Sequence, residues 1–340
     1  MKKLSLLIFL VMMSACCVAQ DNGNKLRFRK NGEFKILQFT DCHYKWAKSA
    51  SEDCLTLIES MTMIEDVDLI VFTGDNVYAD HVEKALTELF QRVRITNIPF
   101  IVIFGNHDHQ FDMTQNEQWD FIRTYKNNCQ PDRPANSSYP DFVVPIYSSK
   151  GDNISQLIYN FDTHAGYKTR QISRYDWLSF DQIAWYRQQS KRYTRENGGK
   201  PIPSISFIHI PIPEYAEAYD YYSAGRKNEK AIPGVIGTKK ENVSCPKLNS
   251  GFFKSILECG DIRAIFCGHD HNNDFALSWH NILLAYGRFS GGNTVYNDLG
   301  KNGARLIVLH ENSKRIDTYI RLVNGDAINN CVYPNDFEGF

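Results

Sequence analysis

Phe34-Lys35-Ile36-Leu37-Gln38-Phe39, followed within four residues by Asp41 and His43, is the stretch from which the rest of the chain is read. A short, mostly apolar run of this length is the pattern of a buried strand. Two further runs repeat it: residues 67–72 lead to Gly74-Asp75-Asn76, and residues 99–104 lead to Gly105-Asn106-His107-Asp108. Helical patterns over residues 51–64 and 82–93 separate the three. The resulting β-α-β-α-β alternation predicts right-handed crossovers and a parallel sheet. In such sheets ligands bind at the carboxyl edge of the strands, where these Asp, Asn and His residues would stand.

The same logic resumes further along. Residues 202–208 read as a strand ending at His209, and residues 262–266 as a strand leading to Gly268-His269-Asp270-His271, after a helix over residues 250–259. Between the two halves, residues 127–145 are rich in Asn, Pro and Ser and read as a loop or insertion. Residues 154–162 read as a strand. Ser179-Phe180-Asp181-Gln182 has the form of a capping box, predicting a helix start at Ser179 and a helix to about Arg195. Residues 214–249 show no clear periodicity and read as one long loop, a length that is usually functional. Runs at 282–286, 304–309 and 315–322 suggest antiparallel strands closing a second sheet.

The 340 residues, 43% of them apolar, suffice for one large domain, expected over residues 30–325 with 326–340 as a C-terminal tail. Residues 1–19 have the layout of a secretory signal: Lys2 and Lys3, an apolar run from Leu4 to Met13, then small residues. That run is short for a bilayer span. Met13-Ser14-Ala15-Cys16 resembles a lipoprotein box, in which a lipidated Cys16 would anchor the protein to a membrane; Cys17-Val18-Ala19 before Gln20 equally fits ordinary cleavage. The expected location is therefore periplasmic, extracellular or lipid-anchored at the cell envelope. Without Lys2 and Lys3 the mature chain carries about three net negative charges, which gives no bulk attraction to nucleic acid. Seven cysteines remain beyond Cys16 and Cys17, an odd number without C-x-x-C pairs, so at most one disulfide is indicated.

Each short motif alone has an ordinary explanation. Gly-Asp-Asn is turn chemistry, and a single D-x-H is a common surface pair. Alternation along a strand would put Asp41 and His43 on one side and Cys42 on the other, with the same relation between His269 and His271. Mixed Asp, Asn and His at the ends of successive strands have no packing rationale, and they supply enough ligands for two metal ions side by side. Cys42 and Cys267 are read as small buried hydrophobes.

The set D-x-H, G-D-N, G-N-H-D, a lone His after a strand and G-H-x-H resembles the calcineurin-like metallophosphoesterases. Phe207-Ile208-His209-Ile210-Pro211-Ile212-Pro213-Glu214, Asn249-Ser250-Gly251 and Gly268-His269-Asp270-His271-Asn272-Asn273-Asp274 are similar to the branch holding Dcr2-type phosphatases and the purple acid phosphatase 29 group. The resemblance runs from about Lys35 to Arg288. It implies an α/β fold, a four-layer α/β/β/α sandwich with two mixed sheets and the metal site at the carboxyl ends of strands. By position it gives one metal Asp41, His43 and His271 and the other Asn106, His209 and His269, with Asp75 bridging. It makes His107 the catalytic histidine and Asp108 the residue that orients it. The two cofactor ions would be Fe, Mn, Zn or Ni, among which this ligand set does not choose.

Gly74-Asp75-Asn76-Val77-Tyr78 also fits the G-D-x-x-Y of purple acid phosphatases, whose tyrosine binds ferric iron. Here His43 stands where those enzymes have Gly, so Tyr78 is expected as packing or substrate wall. Arg288 is read either as a phosphate contact or as a solvated arginine at a strand end. Glu214 and Tyr215 are candidate rim residues, His109 a candidate near the catalytic histidine, and Tyr219-Asp220-Tyr221-Tyr222 a loop that stacks a sugar or base, or covers the sheet. The implied reaction is hydrolysis of a small-molecule or protein phosphate ester by in-line attack of a hydroxide shared by the two ions, with His107 assisting. A phosphomonoesterase is the leading reading. A phosphodiesterase or nucleotidase, and a catalytically silent metal-binding surface protein, are the alternatives.

Overall fold

The computed structural model describes residues 25–133, 140–226, 229 and 231–339. Residues 1–19, expected to be a signal segment, and Cys16 within them lie outside the described residues. In chain order the elements are β1 (Glu33–Phe39), α1 (Glu52–Ile64), β2 (Leu69–Thr73), α2 (Val82–Thr96), β3 (Phe100–Ile103), α3 (Gln115–Ile122), β4 (Phe142–Tyr147), β5 (Ile154–Asn160), α4 (Phe180–Glu196), β6 (Ser204–Phe207), α5 (Glu214–Ser223), β7 (Val235–Ile236), α6 (Phe252–Cys259), β8 (Ile262–Cys267), β9 (Ala276–Trp279), β10 (Ile282–Tyr286), β11 (Gly303–His310), β12 (Ile316–Leu322) and β13 (Ala327–Tyr333). No helix among the described residues is long and apolar enough to cross a membrane.

Two mixed sheets stack face to face. The first has the order β13-β12-β11-β1-β2-β3 and the second β4-β5-β6-β8-β10-β9-β7. Parallel pairing joins β1, β2 and β3 in one sheet, and β5, β6, β8 and β10 in the other. Side-chain alternation sorts the strands between two cores. On β8 and β10, Ala264, Phe266, Leu283 and Ala285 join the cluster that includes Ile36, Phe39 and Leu306 of the first sheet. Ile265, Cys267, Leu284 and Tyr286 face the other way, packing with Ile183 and Tyr186 of α4 and Ile256 of α6. Helices on the outer faces complete the four layers.

Three expectations change. The runs at 304–309 and 315–322 do not close the second sheet; β11 pairs antiparallel with β1 and extends the first. Residues 326–340 are not simply a tail, because β13 forms the edge of that sheet through its ladder with β12, and Phe337 is buried beyond it. The stretch from residue 214 begins with helix α5. Tyr219 and Tyr222 cover the second sheet, with the Tyr219 ring 5.1 Å from Phe275 and the Tyr222 hydroxyl donating to the Ser278 carbonyl at 2.8 Å. Helical periodicity was hidden there by aromatic and small residues on all sides.

The capping box at Ser179 forms, and its glutamine has a second task. Gln182 Oε1 accepts from Ser179 N at 2.9 Å, while Nε2 donates to Asp141 Oδ1 at 3.0 Å and to the Asp162 carbonyl at 2.8 Å. Burial pushes the Asp141 carboxyl up to about 7. The folded chain therefore holds this proton more tightly than the unfolded one, whose aspartates titrate near 3.9. Its stabilising effect is full below about pH 4 and is lost as pH rises through about 7, a change of at most about 4 kcal/mol. Asp141→Asn should flatten the dependence of urea unfolding free energy on pH across that window; an unchanged slope would assign it to other groups.

Candidate metal centre

Five parallel strands deliver the site. Asp41 and His43 follow β1, Asp75 follows β2, Asn106 and His107 follow β3, His209 follows β6, and His269 and His271 follow β8. The β1–β2 pairing continues past the strand ends: Asp41 N donates to the Gly74 carbonyl at 3.0 Å and His43 N to the Asp75 carbonyl at 2.8 Å. Asp41 then ties the two sheets, accepting from His269 N at 3.0 Å through Oδ2.

The convergence has a different cause from strand alternation. Asp41, His43, Asp75 and His269 all lie beyond their strands with positive φ of 53°, 41°, 52° and 79°. Non-glycine residues avoid this region, so the site stores backbone strain that the surrounding hydrogen bonds must offset. Glycine is needed beside them. A Cβ at Gly74, whose φ is 95°, would stand 2.5 Å from His209 Nδ1, and one at Gly105 would collide with the Asp75 carboxylate.

Two groups result, Asp41 with His43 and His271, and Asp75 with His209 and His269, all buried and each with its ligand atoms within 4.8 Å of one another. In the first, His43 Nε2 and His271 Nε2 are 3.0 Å apart, and His271 Nε2 is 3.6 Å from Asp41 Oδ1. In the second, His209 Nε2 lies 3.2 Å from Asn106 Oδ1. Asp75 Oδ2 faces both, at 3.5 Å from His43 Nε2 and 3.3 Å from His209 Nε2, which is the geometry of a bridging carboxylate.

Backbone carbonyls select the tautomers. His209 Nδ1 donates to the Thr73 carbonyl at 2.8 Å and His271 Nδ1 to the Tyr296 carbonyl at 2.9 Å, so in both rings Nε2 is the nitrogen turned inward and available to a cation. His269 Nε2 is buried with no hydrogen-bond partner. Converging lone pairs and carboxylates with an orphaned nitrogen fit cations. Burial pushes His43 and His269 down to about 3, keeping them neutral as ligation requires. Burial also opposes charge on His209, but Asp75 outweighs it and raises that ring to about 10. Asp41 is likewise desolvated, yet the facing imidazoles of His271 and His209 bring it down to about 2.

His107 stands beside the groups. Its ring centroid is 5.4 Å from His43 and 4.8 Å from Tyr78, and its backbone N donates to Asp75 Oδ1 at 2.8 Å. Asp108 does not orient it. Asp108 Oδ1 accepts from Asn76 N at 2.8 Å and Val77 N at 3.2 Å, and Oδ2 from Gly105 N at 2.7 Å and Asn76 Nδ2 at 3.1 Å. It clamps the β2 and β3 loops together, since an adjacent residue in a tight turn points elsewhere.

The candidate substrate residues separate. Tyr78 packs edge-on to His43 at 5.5 Å and to His107 at 4.8 Å. Arg288 is neither solvated nor a phosphate contact: it is buried, paired with Asp274 at 2.6 Å, and donates to the Leu299 and Lys301 carbonyls. Glu214 is buried, accepts from Asn249 Nδ2 at 2.6 Å, and lines a hollow with Thr163, Trp177 and Pro246 in which none of the seven ligands takes part. Tyr215 is core, its hydroxyl donating to the Ile265 carbonyl at 2.7 Å. His109 is exposed. Sequence reasoning missed Tyr175, edge-on to His269 at 4.5 Å, and Tyr296, stacked on His271 at 4.4 Å, because neither lies near a motif. The seven described cysteines are free thiols.

Two carboxylate-and-histidine groups facing one shared aspartate, at the carboxyl ends of two facing sheets, are the arrangement expected of a dinuclear metallohydrolase. The chain belongs to the calcineurin-like phosphoesterase family, whose model matches residues 34–273. The family and its phosphatase relatives support a hydrolase acting on phosphoester bonds. The chain is 31% identical to the probable inactive purple acid phosphatase 29 of Arabidopsis thaliana, over 91% of this chain and 86% of that one. It is 27% identical to the phosphatase DCR2 of Saccharomyces cerevisiae, over 89% of this chain and 56% of that one. A dimetal phosphatase from Danio rerio shares the fold at a TM-score of 0.57 and 9% identity, over 88% of this chain and 98% of that one.

Proposed function

We propose that the protein is an exported phosphomonoesterase. The observation that carries the reading is the single Asp75 oxygen facing both ligand groups, since a shared carboxylate holds two ions at the spacing that in-line displacement at phosphorus needs. Asp41, His43 and His271 would hold one ion and Asn106, His209 and His269 the other; when bound, the pair supplies Lewis-acid polarisation of phosphoryl oxygens and a nucleophile at neutral pH. His107 would give a proton to the leaving oxygen. Asp41 and Asp75, well below the usual carboxylate range, keep the negative charge that retains the ions.

The rim supports a small or monoester substrate. Two cations beside the site, Lys45 and Arg174, each lie over a tyrosine ring, Tyr78 at 4.8 Å and Tyr175 at 5.2 Å. A long polyanion would need more phosphate neutralisation than this. The layout of the first nineteen residues supports export, with or without a lipid on Cys16. The Arabidopsis relative's description as probable inactive makes a silent metal-binding protein the alternative; all seven ligands and His107 are present here.

Metal-free protein reloaded with Mn, Fe, Zn or Ni should release phosphate from 4-nitrophenyl phosphate at least about tenfold faster than it cleaves the bis-ester, by kcat/KM. The holoenzyme should show no tyrosinate charge-transfer colour. A preference for the bis-ester would make it a diesterase, and two bound ions without turnover of any phosphate ester would make it a silent scaffold.

A further inference from the structure

With Asp108 committed to the loops, the ring of His107 has another partner. Its Nδ1 lies 2.9 Å from Gln110 Oε1. The contact arises in the turn that follows β3, where Gln110 N donates to the His107 carbonyl at 3.2 Å and so brings residue i+3 back over the histidine. A glutamine amide can face a ring nitrogen with either its oxygen or its NH2, and the second contact decides which. Gln110 Nε2 is 3.2 Å from the Asn106 carbonyl, which can only accept. The amide nitrogen is thereby directed at Asn106, the amide oxygen at His107, and an amide oxygen beside Nδ1 requires Nδ1 to carry hydrogen.

We propose that Gln110 is the positioning residue of His107, holding the ring in the Nδ1–H tautomer and leaving Nε2 to exchange protons with the substrate. This rests on the reading of His107 as the proton donor. As the P–O bond breaks, its electron pair stays on the leaving oxygen and the Nε2 proton moves to it; the neutral ring keeps Nδ1–H on Gln110 and regains its Nε2 proton from water. An amide suits this task because it accepts from Nδ1–H in both the charged and neutral ring and takes no proton itself. The same side chain holds the carbonyl of Asn106, so one residue steadies a metal ligand and the adjacent histidine. The bond is open to solvent, which limits the effect of losing it to roughly tenfold.

The test is a double-mutant cycle read on an alkyl phosphate, whose poor leaving group needs the proton. Gln110→Ala should lower kcat by about tenfold with KM within about twofold, while in a His107→Asn background the same change should have no further effect. Gln110→Glu, which keeps an acceptor at Nδ1, should recover most of the loss. Equal losses in both backgrounds would show that Gln110 acts on folding or on Asn106 and would overturn the proposal. A readout free of turnover separates this from the wider reading: 15N spectra of histidine-labelled, zinc-loaded protein at about pH 9, where unperturbed imidazoles are neutral. The His107 signal, assigned by its disappearance in His107→Asn, should show a protonated Nδ1 in the wild type and a shifted tautomer population in Gln110→Ala. An Nε2–H ring in the wild type would overturn the proposal even if the protein proves an active phosphatase. An Nδ1–H ring that responds to Gln110 in a protein that hydrolyses nothing would sustain the positioning and sink the phosphatase.

Discussion

Asp75→Asn is expected to abolish phosphate release, lowering kcat/KM by roughly 10⁴-fold, or about 5.4 kcal/mol of transition-state stabilisation. The substitution is nearly isosteric, so it isolates charge and bridging from packing. Oδ1 accepts from His107 N and Oδ2 faces His43 and His209, so an asparagine can keep the first contact while losing the negative charge between the two ligand groups. His209 would lose the partner that raises it to about 10, and Asp108, held near 7 by burial and then by repulsion from Asp75, would ionise more easily. The fold should survive, because the shape and the His107 N contact are kept, Asp108 is relieved of a repulsion and His209 can lose its proton. Metal content by elemental analysis should fall from two ions per chain to one or fewer. Two retained ions with near-normal turnover would show that Asp75 does not bridge.

His107→Asn should separate chemistry from metal binding. His107 belongs to neither ligand group, so both ions should be retained while kcat falls by ~10²–10⁴, the usual scale for a general acid. The loss should be large for alkyl phosphates and small for 4-nitrophenyl phosphate, whose leaving group departs without a proton. A uniform loss across leaving groups would instead assign His107 to stabilising charge on the phosphoryl oxygens. The backbone N–H bond to Asp75 survives the substitution, so lost metal would mean that the ring itself supports the ligand groups through its packing on His43.

The strands that carry the site were legible because each is a short apolar run stopped by glycine or by a ligand. β1, β2, β3, β6 and β8 fall within about two residues of their expected places, and the seven ligand positions follow from them and from the family resemblance. The box at Ser179 was equally legible, being a local hydrogen-bond exchange over four residues. Helix α3 and helix α5 were not read, since their apolar faces are short and mixed with polar and aromatic residues.

Long-range matters were settled elsewhere. Which sheet β11, β12 and β13 join depends on edge pairing with β1, a partner some 270 residues away in the chain, and no local pattern encodes it. Arg288 could be read as a phosphate contact until Asp274 was seen to hold it. Tyr175 and Tyr296 reach the rim from segments with no motif, and the partner of His107 is set by how one turn closes. The order and type of strands and ligands are properties of the sequence, because they rest on periodicity and turn chemistry. The spacing of the ligand atoms, the left-handed backbone at four of them and the orientation of each ring are properties of the tertiary structure, because they arise only where the two sheets press strained loop ends together.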